Sequence, residues 1–194
     1  MTGRIVVLAG PSGSGKNTIV REIEAQYPRV SHLVTATTRI PRPDEVDGTD
    51  YHFVSIEEWD RLIAEGAIVG ERFVNMLGGV HYGIKLSELR AKLASHAVVF
   101  ALVDFAGAQW LKDEYRATTI FLEPESVDEL EMRLRARNPE WTEQELTMRT
   151  NLMREELSVQ APLYDYRVVS AYGALTSAIE EIVEILRKEG YTLT

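Results

Sequence analysis

Cysteine is absent from the 194 residues. That excludes disulfides and every cysteine-based zinc site, and it fits a reducing compartment. Long apolar runs are lacking as well. The opening stretch MTGRIVVLAGPSG is too short in apolar residues and has no cleavage pattern for a signal peptide. No segment reaches membrane-spanning length, so the expectation is a cytoplasmic protein that does not engage a membrane. Positive charge is in deficit. With 21 basic and 30 acidic residues the net charge is −9, which argues against broad nucleic-acid binding. A small anionic ligand stays possible, because a few arginines aimed into one cleft can invert the local field. Internal repeats, low-complexity tracts and linkers are also missing. The length suggests one domain, with room for a lid or small subdomain.

What is present begins at GPSGSGKNTI, residues 10–19. Gly10, four residues, Gly15 and Lys16 follow the pattern of a phosphate-binding loop. The apolar β-branched run RIVVL (4–8) precedes it, and helical spacing follows from Lys16 to about Tyr27, with Ile19, Val20 and Ile23 on one side. Strand, glycine loop, helix is the context that this motif requires. The expected ATP-binding set is Gly10, Pro11, Ser12, Gly13, Ser14, Gly15, Lys16, Asn17 and Thr18. Glycines let backbone N–H groups turn toward phosphate, and the helix start adds partial positive charge. A tight turn without a ligand is the alternative. Asn17 stands where Ser or Thr usually contacts Mg²⁺. Its amide oxygen can still serve as a hard ligand, directly or through water.

Further along, HLVTATT (32–38) and DYHFVS (50–55) read as strands. Ser55 and Glu58 have capping-box spacing for a helix to about Glu65. Short strands are expected in 67–84 around a Gly78–Gly79 turn, then a helix over 85–95. VVFALVD (98–104), ATTIFLE (117–123) and YRVVS (166–170) read as buried strands. Ser126 with Glu129 opens a helix through Arg137. Thr142 with Glu145 opens another to about Gln160, ended by Pro162. Leu175, Ile179, Ile182, Val183 and Leu186 mark one face of a terminal helix. The fold class expected is α/β, a parallel sheet covered by helices on both faces.

TATTRIPRPDEVDGTDYHFVS (35–55), taken with GPSGSGK, resembles the guanylate kinases, which move the γ-phosphoryl group of ATP onto GMP. The likeness covers almost the whole chain. It implies a P-loop core (1–32, 85–125 and 160–194), an inserted β-rich nucleoside-monophosphate-binding subdomain (33–84) and a helical lid (about 126–159). It implies ATP with Mg²⁺ as donor complex and a nucleoside monophosphate as acceptor, in a monomer or homodimer. Arg39, Arg42, Tyr51 and Tyr82 match the acceptor-phosphate positions, where two guanidinium forks on one proline-stiffened turn suit a phosphate dianion. Arg133, Arg137 and Arg149 match lid arginines, which with Lys16 would carry the catalysis. Thr35, Glu71 and Asp104 fall at or near base-reading positions.

The sequence departs from the family at several points. Ile84 stands where a hydroxyl residue is usual. The 70–83 stretch is longer than its family counterpart by a few residues, and the expected glutamate falls near Val69–Gly70, so that using Glu71 requires a shift of register. Leu102-Val103-Asp104 has one carboxylate fewer than the family's Asp-Ile-Asp, and Ser170-Ala171 replaces Asn-Asp. The four histidines have no metal-ligand spacing and read as structural. Two alternatives to a guanylate kinase stay open at this level. One is a kinase for another purine monophosphate or a phosphorylated sugar. The other is a catalytically inactive binding module.

Overall fold

The first strand, β1 (Arg4–Ala9), is buried along all but its first residue. Ile5, Val7 and Ala9 enter one apolar cluster, and Val6 and Leu8 enter another on the opposite side. A strand covered on both faces has no need to alternate polar and apolar residues, which is why RIVVLA is apolar throughout. The computed structural model describes residues 3–74, 79–171 and 174–194 and, within them, every side chain except those of Arg72, Phe73 and Arg137.

Around β1 stand β2 (Val30–His32), β7 (Val98–Ala101), β8 (Thr118–Pro124) and β9 (Tyr166–Ser170). They form one five-stranded sheet in the order β2-β7-β1-β8-β9, with every pairing parallel. One face is covered by α1 (Lys16–Gln26) and α7 (Leu175–Lys188), through Ile19, Val20, Ile23, Ile182 and Leu186. The other is covered by α3 (Leu86–Ser95) and α4 (Phe105–Tyr115), through Leu89, Ala108 and Leu111. This is the α/β arrangement expected from the sequence.

A second sheet, in the order β4-β3-β6-β5, is inserted between β2 and β7. It is built from β3 (Ala36–Thr37), β4 (His52–Phe53), β5 (Ile68–Val74) and β6 (Val80–Lys85). Helix α2 (Ile56–Ala64) lays Trp59 and Leu62 against Ala36 and Ile68. A helical hairpin follows β8. Its arms α5 (Val127–Arg137) and α6 (Glu143–Glu155) pack through Leu130, Leu134, Leu146 and Met153, and Arg135 is ion-paired with Glu143 across it.

Four expectations are corrected. HLVTATT is two strands in different sheets: the Leu33 amide still bonds Phe100 O in the core at 2.7 Å, whereas Ala36 and Thr37 pair with β4 and β6. VVFALVD leaves the sheet at Ala101, because Asp104 turns to cap α4, its Oδ1 accepting from Gly107 N at 2.9 Å. The Ser55 cap is one-sided, since Glu58 bonds Arg61 instead of returning to the cap. The helix opened by Thr142 has a full capping box but widens at Glu156–Gln160 into a π turn, then tightens into a 3-10 turn at Ala161–Leu163 that accommodates Pro162. The expected Gly78–Gly79 turn lies partly outside the described residues.

Polar contacts tie the inserted segment to the core. Arg21 of α1 pairs with Asp50 at 3.1 Å. His32 meets Glu24 Oε1 through Nδ1 at 2.8 Å and Thr49 O through Nε2 at 3.4 Å. The bond to Glu24 raises the His32 pKa above its ordinary 6.5, against burial and the Lys92 charge. Burial pushes Glu24 up, but its bond to His32 outweighs this and leaves the carboxyl below 4.5. The histidine's contribution to stability is full below its unfolded pKa and disappears as pH rises through its raised folded value. The glutamate's is present above its unfolded pKa and disappears as pH falls through its depressed folded value. The pair therefore stabilises most between about pH 4.5 and 6.5. Thermal melts of wild type and His32→Gln should differ most near about pH 5.5 and converge as pH rises through the raised folded pKa of His32. A difference constant across that range would remove the ion pair as its source.

Candidate active site

Three glycines shape the loop after β1. Gly10, Gly13 and Gly15 have φ of 143°, 86° and 96°, in the region that L side chains rarely adopt. At Gly10 space forbids a side chain too: a Cβ would lie 2.4 Å from Leu122 O of β8. The Ser14 amide closes the loop on Pro11 O at 3.2 Å, and Ser14 is buried. Lys16 curls over the loop, its Nζ donating to Gly10 O at 2.6 Å and Pro11 O at 2.8 Å. The ammonium thus stands at the loop mouth, at the N-terminus of α1, whose first turn holds no acidic residue. Ser12, Asn17 and Thr18 are exposed. Both Asn17 and Thr18 carry hard oxygen donors of the kind Mg²⁺ accepts.

Helix α5 covers this loop. A Cβ on Gly13 would come 3.1 Å from Leu130 and 3.8 Å from Leu134. Arg133 lies on the same helical stripe as these leucines, and its Nη2 donates to Glu129 at 2.7 Å. The side chain of Arg137, one turn on, lies outside the described residues. On α6 the Arg149 guanidinium lies over the Trp141 ring, its Cζ 5.3 Å from the centroid.

The second sheet presents another cationic cluster. Thr37 Oγ1 donates to His81 O at 2.9 Å and accepts from Arg39 N at 3.1 Å, so the buried threonine fixes the backbone at Arg39. The Arg39 guanidinium lies 5.5 Å from the Tyr51 ring centroid, and the Tyr51 and Tyr82 rings meet edge to face at 6.0 Å. Burial pushes the Tyr51 phenol up, with the neighbouring Tyr82 adding to it. Burial opposes the Arg39 charge, but bonds to Glu45 and Tyr82 outweigh it and raise its pKa. Arg42 is exposed on the following turn.

The structure therefore brings Arg39, Tyr51 and Tyr82 together, with Arg42 three residues from Arg39. Thr35 is buried between the two sheets. Ile84 is 1% exposed and packs in the core cluster with Val69 and Val103. Near it Gly70 approaches Gly107, where a Cβ would sit 3.5 Å from the Gly107 Cα; Gly107 is the residue that Asp104 caps. Glu71 is placed apart from this group. Its Oε1 accepts from Trp59 Nε1 at 3.2 Å and from His81 Nδ1 at 2.7 Å. His81 and Tyr82 are successive strand residues and point to opposite faces. Glu71 thus shares the α2 face with Trp59, not the face of Tyr82. An irregularity between Val69 and Arg72, with Gly70 at φ 60°, causes this. Sequence reasoning missed Glu45, Glu129 and the Trp59–Glu71–His81 group. Glu45, three residues after Arg42, and Glu129, four residues before Arg133 on the same helix, carried local signals.

Comparison with known proteins adds an independent finding. The family model described as guanylate kinase matches residues 2–189. The chain is 40% identical over 186 residues to the guanylate kinase of Mycolicibacterium paratuberculosis, covering 95% of this chain and 81% of that protein. It is 36% identical over 169 residues to that of Thermosynechococcus vestitus, covering 87% and 86%. The crystal structure of guanylate kinase from Anaplasma phagocytophilum superposes with a TM-score of 0.73 at 28% identity, covering 97% of this chain and 86% of that one. No helix among the described residues is long and apolar enough to cross a membrane.

Proposed function

The chain belongs to the guanylate kinase family, and from that premise we propose how its own residues divide the transfer of a phosphoryl group from ATP to GMP. It is an ATP-dependent nucleoside monophosphate kinase that makes GDP from GMP. We assign the donor site to the loop Gly10–Thr18. Backbone N–H groups and Lys16 hold the β- and γ-phosphates, Lys16 exchanging its carbonyl partners for phosphate oxygens. Mg²⁺ bound with ATP would supply charge neutralisation, and the exposed Asn17 amide would hold it directly or through water.

The acceptor phosphate falls to Arg39, Arg42, Tyr51 and Tyr82. The clustering of Arg39, Tyr51 and Tyr82 beside the inserted sheet, separate from the donor loop, is the observation that carries the reading: two anion sites on two elements suit a transfer between two phosphates. The acceptor oxygen is already a nucleophile, so no general base is required and positioning dominates. Arg133, Arg137 and Arg149 stabilise the charge that develops on the transferring group. Accordingly we divide the chain into a core, an acceptor-binding subdomain over 33–84 and a lid over about 126–159, and place it in the cytoplasm with its substrates. Thr35 and Asp104 are the base-reading pair. Glu71 joins them only by exchanging its bonds to Trp59 and His81, with Gly70 as the turning point.

A coupled ATP-consumption assay across GMP, dGMP, AMP, UMP, CMP and dTMP tests this. A pocket that hydrogen-bonds the guanine edge should favour GMP over AMP by about 10³-fold or more in kcat/KM. Equal turnover of AMP would mean that Thr35 and Asp104 do not read the base.

A further inference from the structure

We infer that Glu45 is the positioning residue of the acceptor-phosphate site: it holds Arg39 in the geometry that receives the dianion and sets the affinity for GMP. The inference rests on the reading of Arg39 and Arg42 as phosphate ligands. Two arginines on one turn repel each other, and a long guanidinium side chain loses rotamer entropy when it is fixed. Something must hold at least one of them in place before the substrate arrives.

The geometry points to Glu45. Both of its carboxylate oxygens accept from Arg39 Nη2, at 2.7 and 2.9 Å. Oε2 also accepts from the Arg42 backbone amide at 2.8 Å, and the Glu45 amide returns a bond to Arg42 O at 3.1 Å. The carboxylate is thus fixed to its own turn and is not poised to leave. Arg39 is held from a second side, its Nη1 donating to Ile40 O at 2.8 Å. Side-chain exposure is 15% for Arg39 and 14% for Glu45, so the pair is largely shielded from water. Arg42 differs: its side chain is 55% exposed and only 3.8 Å contact links it to Glu45. The site therefore combines one preset fork, backed by Glu45 and facing Tyr51 and Tyr82, with one exposed cation that closes on the phosphate. Presetting a ligand group lowers the cost of binding without adding a contact to the substrate. The carboxylate acts through Arg39 and does not touch the phosphate.

The test is steady-state kinetics and competition binding on wild type, Glu45→Gln, Glu45→Ala and Arg39→Ala. Glu45→Gln keeps the shape and one acceptor but loses the charge. It should raise KM for GMP about tenfold, the equivalent of one charge-assisted hydrogen bond, with kcat within about twofold. Glu45→Ala should raise it further. Guanosine, which has the base and no phosphate, should inhibit wild type and Glu45→Gln with the same constant. A loss shared by GMP and guanosine would make Glu45 a general structural residue and overturn the inference. So would an unchanged or lowered KM for GMP in Glu45→Gln while Arg39→Ala raises it, which would leave the phosphate site standing and Glu45 a spectator or competitor. An unchanged KM in Arg39→Ala would overturn the phosphate-site reading itself, and the inference with it.

Discussion

Replacing Lys16 with alanine should lower kcat by about a thousandfold or more, because a preorganised cation at the transferring phosphoryl group is lost in the transition state. KM for GMP should hardly move, since the acceptor cluster lies on another sheet. The fold should survive. Lys16 Nζ contributes bonds to Gly10 O and Pro11 O, worth about 1 kcal/mol each net. The loop has other supports in the Ser14–Pro11 backbone bond and the contact of Gly10 with β8. A loss of that size in a chain this long shifts the melting temperature by about 2–4 °C per kcal/mol. Arginine should not rescue activity, because its planar fork is longer and cannot replace a compact ammonium curled over the loop. Saturating-ATP kinetics with a thermal melt on the same preparation decides it. A kcat within tenfold of wild type, on a folded protein, would place the phosphoryl charge under other control.

The donor loop was legible in the sequence because its physics is local. Glycines at positive φ, a buried strand before and a helix after all lie within about twenty residues. Capping residues were legible for the same reason, and Ser126 and Thr142 open the helices expected of them. The inserted sheet was less so. HLVTATT has one apolar and β-branched texture throughout, and nothing in it marks residues 33–35 as the passage from one sheet to another. Helix α4 went unread in the sequence. Gly107 lowers helix propensity, yet it is there because a Cβ would meet Val103 at 3.0 Å, a constraint that exists only once the helix packs.

Within the candidate site, residue types were legible and their pairings were not. The resemblance that supplied Arg39, Arg42, Tyr51 and Tyr82 says nothing of Glu45 gripping one arginine or Glu129 holding Arg133. Glu71 shows the limit most clearly. One extra residue in a strand sends the next side chain to the other face, and the bulge at Gly70 turns Glu71 toward Trp59 and His81. A count of residues from Tyr82 cannot locate such a bulge. It needs the register of β5 on β6.

Arg149 is the other position where one substitution should have a large effect. The guanidinium lies over Trp141, a cation–π contact that holds the cation without consuming its N–H donors. Those donors are what a transferring phosphoryl group would engage. Arg133, by contrast, already shares its Nη2 with Glu129. Arg149→Ala should therefore reduce kcat by about 10³-fold, within the range for arginines that stabilise phosphoryl transfer, and leave KM for GMP within about threefold. The hairpin itself should hold, since Leu130, Leu134, Leu146 and Met153 form its seam and Arg149 is not among them. Arg149→Lys keeps the charge but loses the fork, so it should recover only about tenfold. Single-turnover measurements with ATP and GMP separate this loss in chemistry from any change in product release. If Arg149→Lys matched wild type, a bare positive charge would suffice and the guanidinium fork would have no part in the reaction. If Arg149→Ala kept wild-type kcat, the lid's contribution would rest with α5, and Arg133 would be the residue to replace next.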